Sequence, residues 1–178
     1  MMLPADRIQE DPGQEDKENP PDPDDDFLAV GPALRILQLN VEGLSAAKRS
    51  VIGSIAAQNA VDIICLQETH VESDVANRFS IAGFDLVSHT LHPKHGRATY
   101  VRSDIADACH TVSSACYDET RVGGYRIYNV YKPPSQSWDD QHPLPSPTHP
   151  AIVVGDFNSH HPDWGYQMAD HDGEAILD

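Results

Sequence analysis

The sequence predicts an α/β fold, and three observations carry that expectation. A strand, a helix and a second strand follow one another over Leu34–Val41, Ala46–Gln58 and Val61–Leu66, a βαβ-like unit. A continuous apolar run, Ile152–Val154, reads as a short strand covered on both faces. The strands also end in the same kinds of polar residue: Asn40 and Glu42, Gln67 and Glu68, Tyr131, then Asp156 and Asn158. Open α/β sheets place their ligands at the carboxyl ends of strands. At 178 residues the chain is long enough for one domain with a substantial core.

The elements follow in order. Residues 1–31 are rich in Pro, Asp, Glu and Gln and nearly empty of large apolar side chains, so they read as a disordered acidic tail. The tail holds ten acidic and two basic residues, a net −8 of the chain's −16. That balance argues against a broad basic nucleic-acid face, so any such contact needs a local basic patch or bound cations. Residues 32–178 form the folded domain. Ser45 is a candidate N-cap of the first helix, and Asn59 a candidate closing residue. On that helix Val51, Ile52, Ile55 and Ala56 share one face, expected to be the buried one.

Phe84–Val87 and Ala98–Val101 read as short strands. Between them lie His89, His92 and His95, whose spacing would suit a metal site on a helix. Pro93 and Gly96 break such a helix, so Ser88–Arg97 is expected to be an exposed loop. Thr111–Cys116 is a weak strand. Tyr125–Tyr131 is a strong one, with Tyr125, Ile127, Asn129 and Tyr131 on one face. Residues 133–150, with six prolines, form a long loop. Gly155 is expected to let the chain turn sharply after its strand, and Gly173–Asp178 begins a helix. The three cysteines, Cys65, Cys109 and Cys116, lack metal-ligand spacing. With no apolar leader and no long apolar run, an intracellular, non-secreted protein without membrane association is expected.

Glu42, Glu68, Asp156, Asn40 and Asn158 form an all-oxygen donor set, which suits hard divalent cations such as Mg²⁺ or Mn²⁺. Such sites serve phosphoryl transfer. The plainer alternative for Asp156 and Asn158 is a turn in which they bond only the local backbone.

Four motifs together resemble the endonuclease/exonuclease/phosphatase superfamily: LRILQLNVEGL (Leu34–Leu44), VDIICLQETH (Val61–His70), GYRIYNVYKPP (Gly124–Pro134) and VVGDFNSHHPDWG (Val153–Gly165). The last looks most like the apurinic/apyrimidinic-endonuclease-like domain of non-LTR (LINE-type) retrotransposons, whose members are fused to reverse transcriptase. The resemblance implies a DNase I-like two-sheet α/β sandwich and a Mg²⁺-dependent endonuclease with DNA as substrate. It implies Glu68 as the principal metal ligand, with Asn40 and Glu42 near the metal. It implies that Tyr131 supports the phosphate, Asp156 orients or activates the attacking water, and Asn158 stabilises the transition state. Leu39 departs from the family's frequent Trp. The family's terminal Ser-Asp-His motif does not occur in the sequence, which implies a domain incomplete at its C-terminus with impaired activity. A catalytically dead retroelement remnant or binding fragment is the alternative, and a lipid or inositol phosphoesterase a third reading.

Overall fold

The computed structural model describes residues 33–73, 79–139 and 142–177; the acidic tail lies outside them. Two four-stranded sheets face each other. The first contains β1 (Ile36–Asn40), β2 (Ile63–Gln67), β3 (Phe84–Thr90) and β4 (Arg97–Arg102), in the order β1-β2-β4-β3. The second contains β5 (His110–Ser113), β6 (Tyr117–Val122), β7 (Tyr125–Tyr131) and β8 (Ala151–Asp156), in that order. β1 pairs parallel with β2, and β7 parallel with β8; the other pairs are antiparallel. Helix α1 (Ala46–Gln58) covers the outer face of the first sheet. Helix α2 (His171–Leu177), with Trp138 and Leu144 from the connection between β7 and β8, covers that of the second. The result is the two-sheet α/β sandwich of the DNase I type.

Strand alternation sorts the side chains. Ile64 and Leu66 of β2 point outward to Ile52 and Ala56 of α1. Ile63 and Cys65 point inward, where they meet Val101, Val122 and Ile127. The inward positions change character along the strands. One end is apolar. Further along, Gln38 donates to Gln67 (2.6 Å), Gln67 to Asn129 (2.7 Å), and Asn129 to the Thr99 hydroxyl (3.0 Å). Gln67, Asn129 and Thr99 of this ladder are buried and Gln38 half-buried, and its members partner one another, as buried polar groups must. Beside it Arg97 forks onto Asp118, joining β4 to β6, with exposures of 3% and 0%.

Ser45 caps α1 by accepting from the Lys48 N–H at 3.2 Å, and Asn59 closes it, as expected. Its apolar face is narrower than expected. Ile52 and Ala56 are buried, but Val51 and Ile55 are exposed, overhanging the edge strand β1 beside Leu39 and Val41. β8 is not covered on both faces: it is an edge strand with Val153 exposed. Gly155 does not turn the chain either, because it lies within β8. At φ 148°, a Cβ there would stand 1.9 Å from the Val130 carbonyl oxygen, so glycine permits the parallel β7–β8 approach. Ser88–Arg97 is only partly a loop, since Ser88–Thr90 belongs to β3 and buried Arg97 opens β4. β6 went unforeseen because its inward residues Asp118 and Thr120 are polar yet buried, which hides the apolar periodicity of a strand.

Candidate active site

The site forms where the inter-sheet layer reaches solvent. Asn40 is the last inward residue of β1, Tyr131 of β7, and Asp156 of β8. Parallel pairing brings these ends to one edge: Asn40 lies opposite Gln67, and Tyr131 opposite Asp156. Glu68 follows Gln67 directly. It adopts φ 53°, and its carbonyl accepts the Gly43 N–H at 2.7 Å, so the two chain ends are laced together past the strands.

Two hydrogen-bonded groups result. In one, the Tyr131 hydroxyl donates to Glu68 Oε1 at 3.3 Å and lies 2.9 Å from His95 Nδ1. In the other, Asn40 Nδ2 donates to Asp156 Oδ2 at 2.8 Å, and the Asn158 N–H donates to Asp156 Oδ1 at 3.1 Å. Burial first, then the charges of Glu68 and Asp156, pushes the Tyr131 hydroxyl pKa up. Tyr131 therefore stays protonated and acts as a donor. The Asp156 charge acting on it joins the two groups electrostatically. Burial, with His92 next to it, lowers the His95 pKa and favours the neutral ring.

The turn alternative for Asp156 and Asn158 holds for one bond only, the Asn158 N–H to Asp156. The remaining bonds are long-range: Asp156 to Asn40, and Asn158 Nδ2 to the Lys132 carbonyl at 2.8 Å. Asn158 keeps φ 44°, Glu42 φ 41° and His70 φ 53°, so with Glu68 four of the five non-glycine positive-φ residues among those described cluster here. Strain of this kind persists where surrounding structure over-determines it, commonly at functional sites.

Of the expected residues, Glu68, Tyr131, Asn40, Asp156 and Asn158 converge. Glu42 does not join their side-chain bonding: it is exposed, and its bonds run through its backbone to Asn40 and Lys48. Among the described residues no three His, Cys, Asp or Glu side chains gather as a ready-made metal cluster. The donor chemistry nevertheless fits a hard divalent cation. Such an ion takes one or two carboxylates and keeps water or phosphate oxygens in its remaining positions. Glu68 Oε2 has the capacity: it faces His70 Nε2 at 3.6 Å, beyond hydrogen-bonding range, and that buried nitrogen has no hydrogen-bond partner.

Two residues at this edge escaped sequence reasoning. His95 was visible as a histidine but assigned to an exposed loop, whereas it touches Tyr131. Lys132 carried no signal beyond its place before two prolines. It is 1% exposed, pairs with Asp172 at 2.8 Å, and donates to the Gln136 carbonyl at 2.7 Å. Through its carbonyl it holds Asn158. A cavity of about 600 Å³ opens beside Asn40, Asp156 and Asn158; Glu68 and Tyr131 lie outside its lining.

Fold and site thus define a two-sheet α/β protein with carboxylate, amide and phenol groups joined at one strand edge. The chain belongs to the Endonuclease/Exonuclease/phosphatase family, whose profile matches residues 37–176. No curated protein matches it. An AP endonuclease from Archaeoglobus fulgidus aligns at 19% identity with a TM-score of 0.58, over 82% of this chain and 70% of that one. The catalytic domain of Xenopus laevis APE2 aligns at 20% identity and TM-score 0.51, over 79% and 63%. A 3' phosphatase from Neisseria bound to a product DNA hairpin aligns at 27% identity and TM-score 0.44, over 56% and 41%. The chain therefore spans from 41% to 70% of the length of these structures. Among the described residues no helix is long and apolar enough to cross a membrane.

Proposed function

We propose that residues 32–178 form a divalent-cation-dependent phosphodiesterase domain that nicks DNA, of the type carried by non-LTR retrotransposons alongside a reverse transcriptase, and that residues 1–31 are an acidic tail outside it. The observation that carries the reading is the convergence of two carboxylates, two amides and a protonated tyrosine at one strand edge. Glu68 and Asn40 would hold the cation, Mg²⁺ or Mn²⁺, with Glu42 reaching it from the neighbouring turn. A bound cation supplies neutralisation of phosphate oxygens and stabilises charge on the leaving oxygen.

The chain's own groups do the rest. Asp156, fixed by Asn40 and the Asn158 N–H, orients an attacking water and accepts its proton. Tyr131 donates toward a nonbridging phosphate oxygen, and the Asn158 amide stabilises the charge that develops there. The retrotransposon assignment rests on the VVGDFNSHHPDWG run at Val153–Gly165. The free thiols Cys65, Cys109 and Cys116 are consistent with an intracellular setting.

The test is nicking of supercoiled plasmid by the full chain with Mg²⁺. The wild type should nick, and Glu68→Ala and Asp156→Ala should each lose about a hundredfold or more. Equal, near-zero nicking by all three would remove the enzymatic reading in favour of a binding fragment. Inositol phosphate turnover without nicking would reassign the substrate.

A further inference from the structure

The Tyr131 hydroxyl stands between two groups that compete for it. It donates to Glu68 Oε1 at 3.3 Å and lies 2.9 Å from His95 Nδ1. A phenol carries one proton, and a carboxylate can only accept. The Glu68 contact therefore uses the Tyr131 proton, and the Tyr131 oxygen is left as an acceptor on the His95 side. A neutral imidazole has a single N–H, and its hydrogen bonds decide which nitrogen carries it. Burial, then the neighbouring His92, favours that neutral form for His95.

The backbone that presents Glu68 also presents His95. The His70 N–H donates to the His95 carbonyl at 2.9 Å, the Thr69 N–H to the Gly96 carbonyl at 3.3 Å, and the His92 N–H to the Val71 carbonyl at 2.9 Å. Gly96, at φ 91°, permits this approach, because a Cβ there would stand 2.7 Å from both Thr69 Oγ1 and the Thr90 carbonyl oxygen. His92 Nδ1 accepts the N–H groups of Lys94 and His95, at 3.1 and 2.9 Å. Its ring stacks on that of His95, with centroids 4.4 Å apart. Loop bonds and stacking thus fix the imidazole that faces Tyr131, 5.6 Å away between centroids.

We propose that His95 is a positioning residue: as the Nδ1–H tautomer it donates to the Tyr131 oxygen and aims the Tyr131 proton toward Glu68 and the phosphate side of the site. The consequence for turnover rests on the phosphodiesterase reading; the hydrogen bond itself does not. With the opposite tautomer, Tyr131 would bond its proton to His95. Its bare oxygen would then face the Glu68 carboxylate across 3.3 Å. With Glu68 engaged by a cation, the His95 N–H keeps the hydroxyl in place and its proton turned to an incoming phosphate oxygen. A donor aimed before charge develops costs no reorganisation at the moment of reaction.

Long-range proton–nitrogen correlation spectra of the full chain read the tautomer directly. They are recorded at about pH 8, where unperturbed histidines are neutral, and His95 is assigned by its absence in His95→Asn. The expected signature is Nδ1–H for His95, with that preference lost in Tyr131→Phe. An Nε2–H ring in the wild type, or an Nδ1–H preference that survives Tyr131→Phe, would overturn the proposal. Plasmid nicking is the second readout. His95→Leu should lower kcat about tenfold with KM nearly unchanged. His95→Asn, whose amide N–H replaces the Nδ1–H, should recover most of that loss. In the Tyr131→Phe background, His95→Leu should change kcat by less than about twofold, because the group it acts through is gone. Equal losses in both backgrounds would mark a merely structural role and count against the proposal. An Nδ1–H ring in a chain that nicks nothing would support the hydrogen bond and remove only the cleavage reading.

Discussion

Lys132 shows how one side chain far from any motif sets the site. Its ammonium is buried against Asp172 and lies 5.8 Å from the Trp138 ring, while its carbonyl holds the Asn158 amide. Burial alone would raise the Asp172 pKa, but the Lys132 ammonium and the Trp138 N–H outweigh it and hold the carboxyl below its ordinary range. The depressed folded-state value fixes the sign. The stability Asp172 contributes is present above the unfolded pKa, about 4, and is lost as pH falls through the folded value. Asp172→Asn should cost about 3 kcal/mol near neutral pH, because Lys132 then lacks its counter-charge, and should flatten the acid limb below about pH 4. Urea titrations across that range decide it; an unchanged acid slope would count against the linkage.

At the scale of elements, the parallel pairing of β7 and β8 does most to assemble the site, since it sets Asp156 opposite Tyr131. That pairing depends on backbone contact at Gly155. Gly155→Ala forces a Cβ against the Val130 carbonyl at a φ that side chains rarely adopt. A loss of about 3 kcal/mol is expected from overpacking and backbone strain together. Hydrogen exchange of β8 amides should rise well before that of β1 and β2. Uniform exchange across both sheets would show that β8 is not the weak unit.

The whole molecule is two sheets joined at one end by apolar packing and at the other by buried polar bonds. Arg97 and Asp118 form a buried charged tie at the polar end, with the Arg97 guanidinium also bonded to the Ala115 carbonyl at 2.9 Å. Removing one partner leaves a charge in a dry layer. Arg97→Met should destabilise by about 3–5 kcal/mol. Joint replacement with Asp118→Leu should recover much of that loss, because an apolar pair avoids the desolvation of both charges. Thermal melts of the single and double variants test this; a double variant as unstable as the sum of its singles would refute it.

Much of this was legible from residue order. Local propensity and period placed α1 over its observed length and β7 residue for residue, because a capped helix and an alternating aromatic strand carry their signal in adjacent residues. Repeated polar strand ends named Asn40, Glu68, Tyr131, Asp156 and Asn158 as candidates. What sequence could not supply was which polar residues are buried. Asp118, Thr120 and Lys132 look solvated, and Val51, Ile55 and Val153 look buried; the structure reverses each. Burial depends on what lies across the sheet and on whether a strand is central or at the edge, and those neighbours are distant in sequence. The sequence by itself determined the strands other than β6, the first helix and the chemistry at their ends. Only the tertiary structure decided that two sheets would join those ends into one site, because parallel register and inter-sheet contact bring together residues as far apart as Asn40 and Asp156.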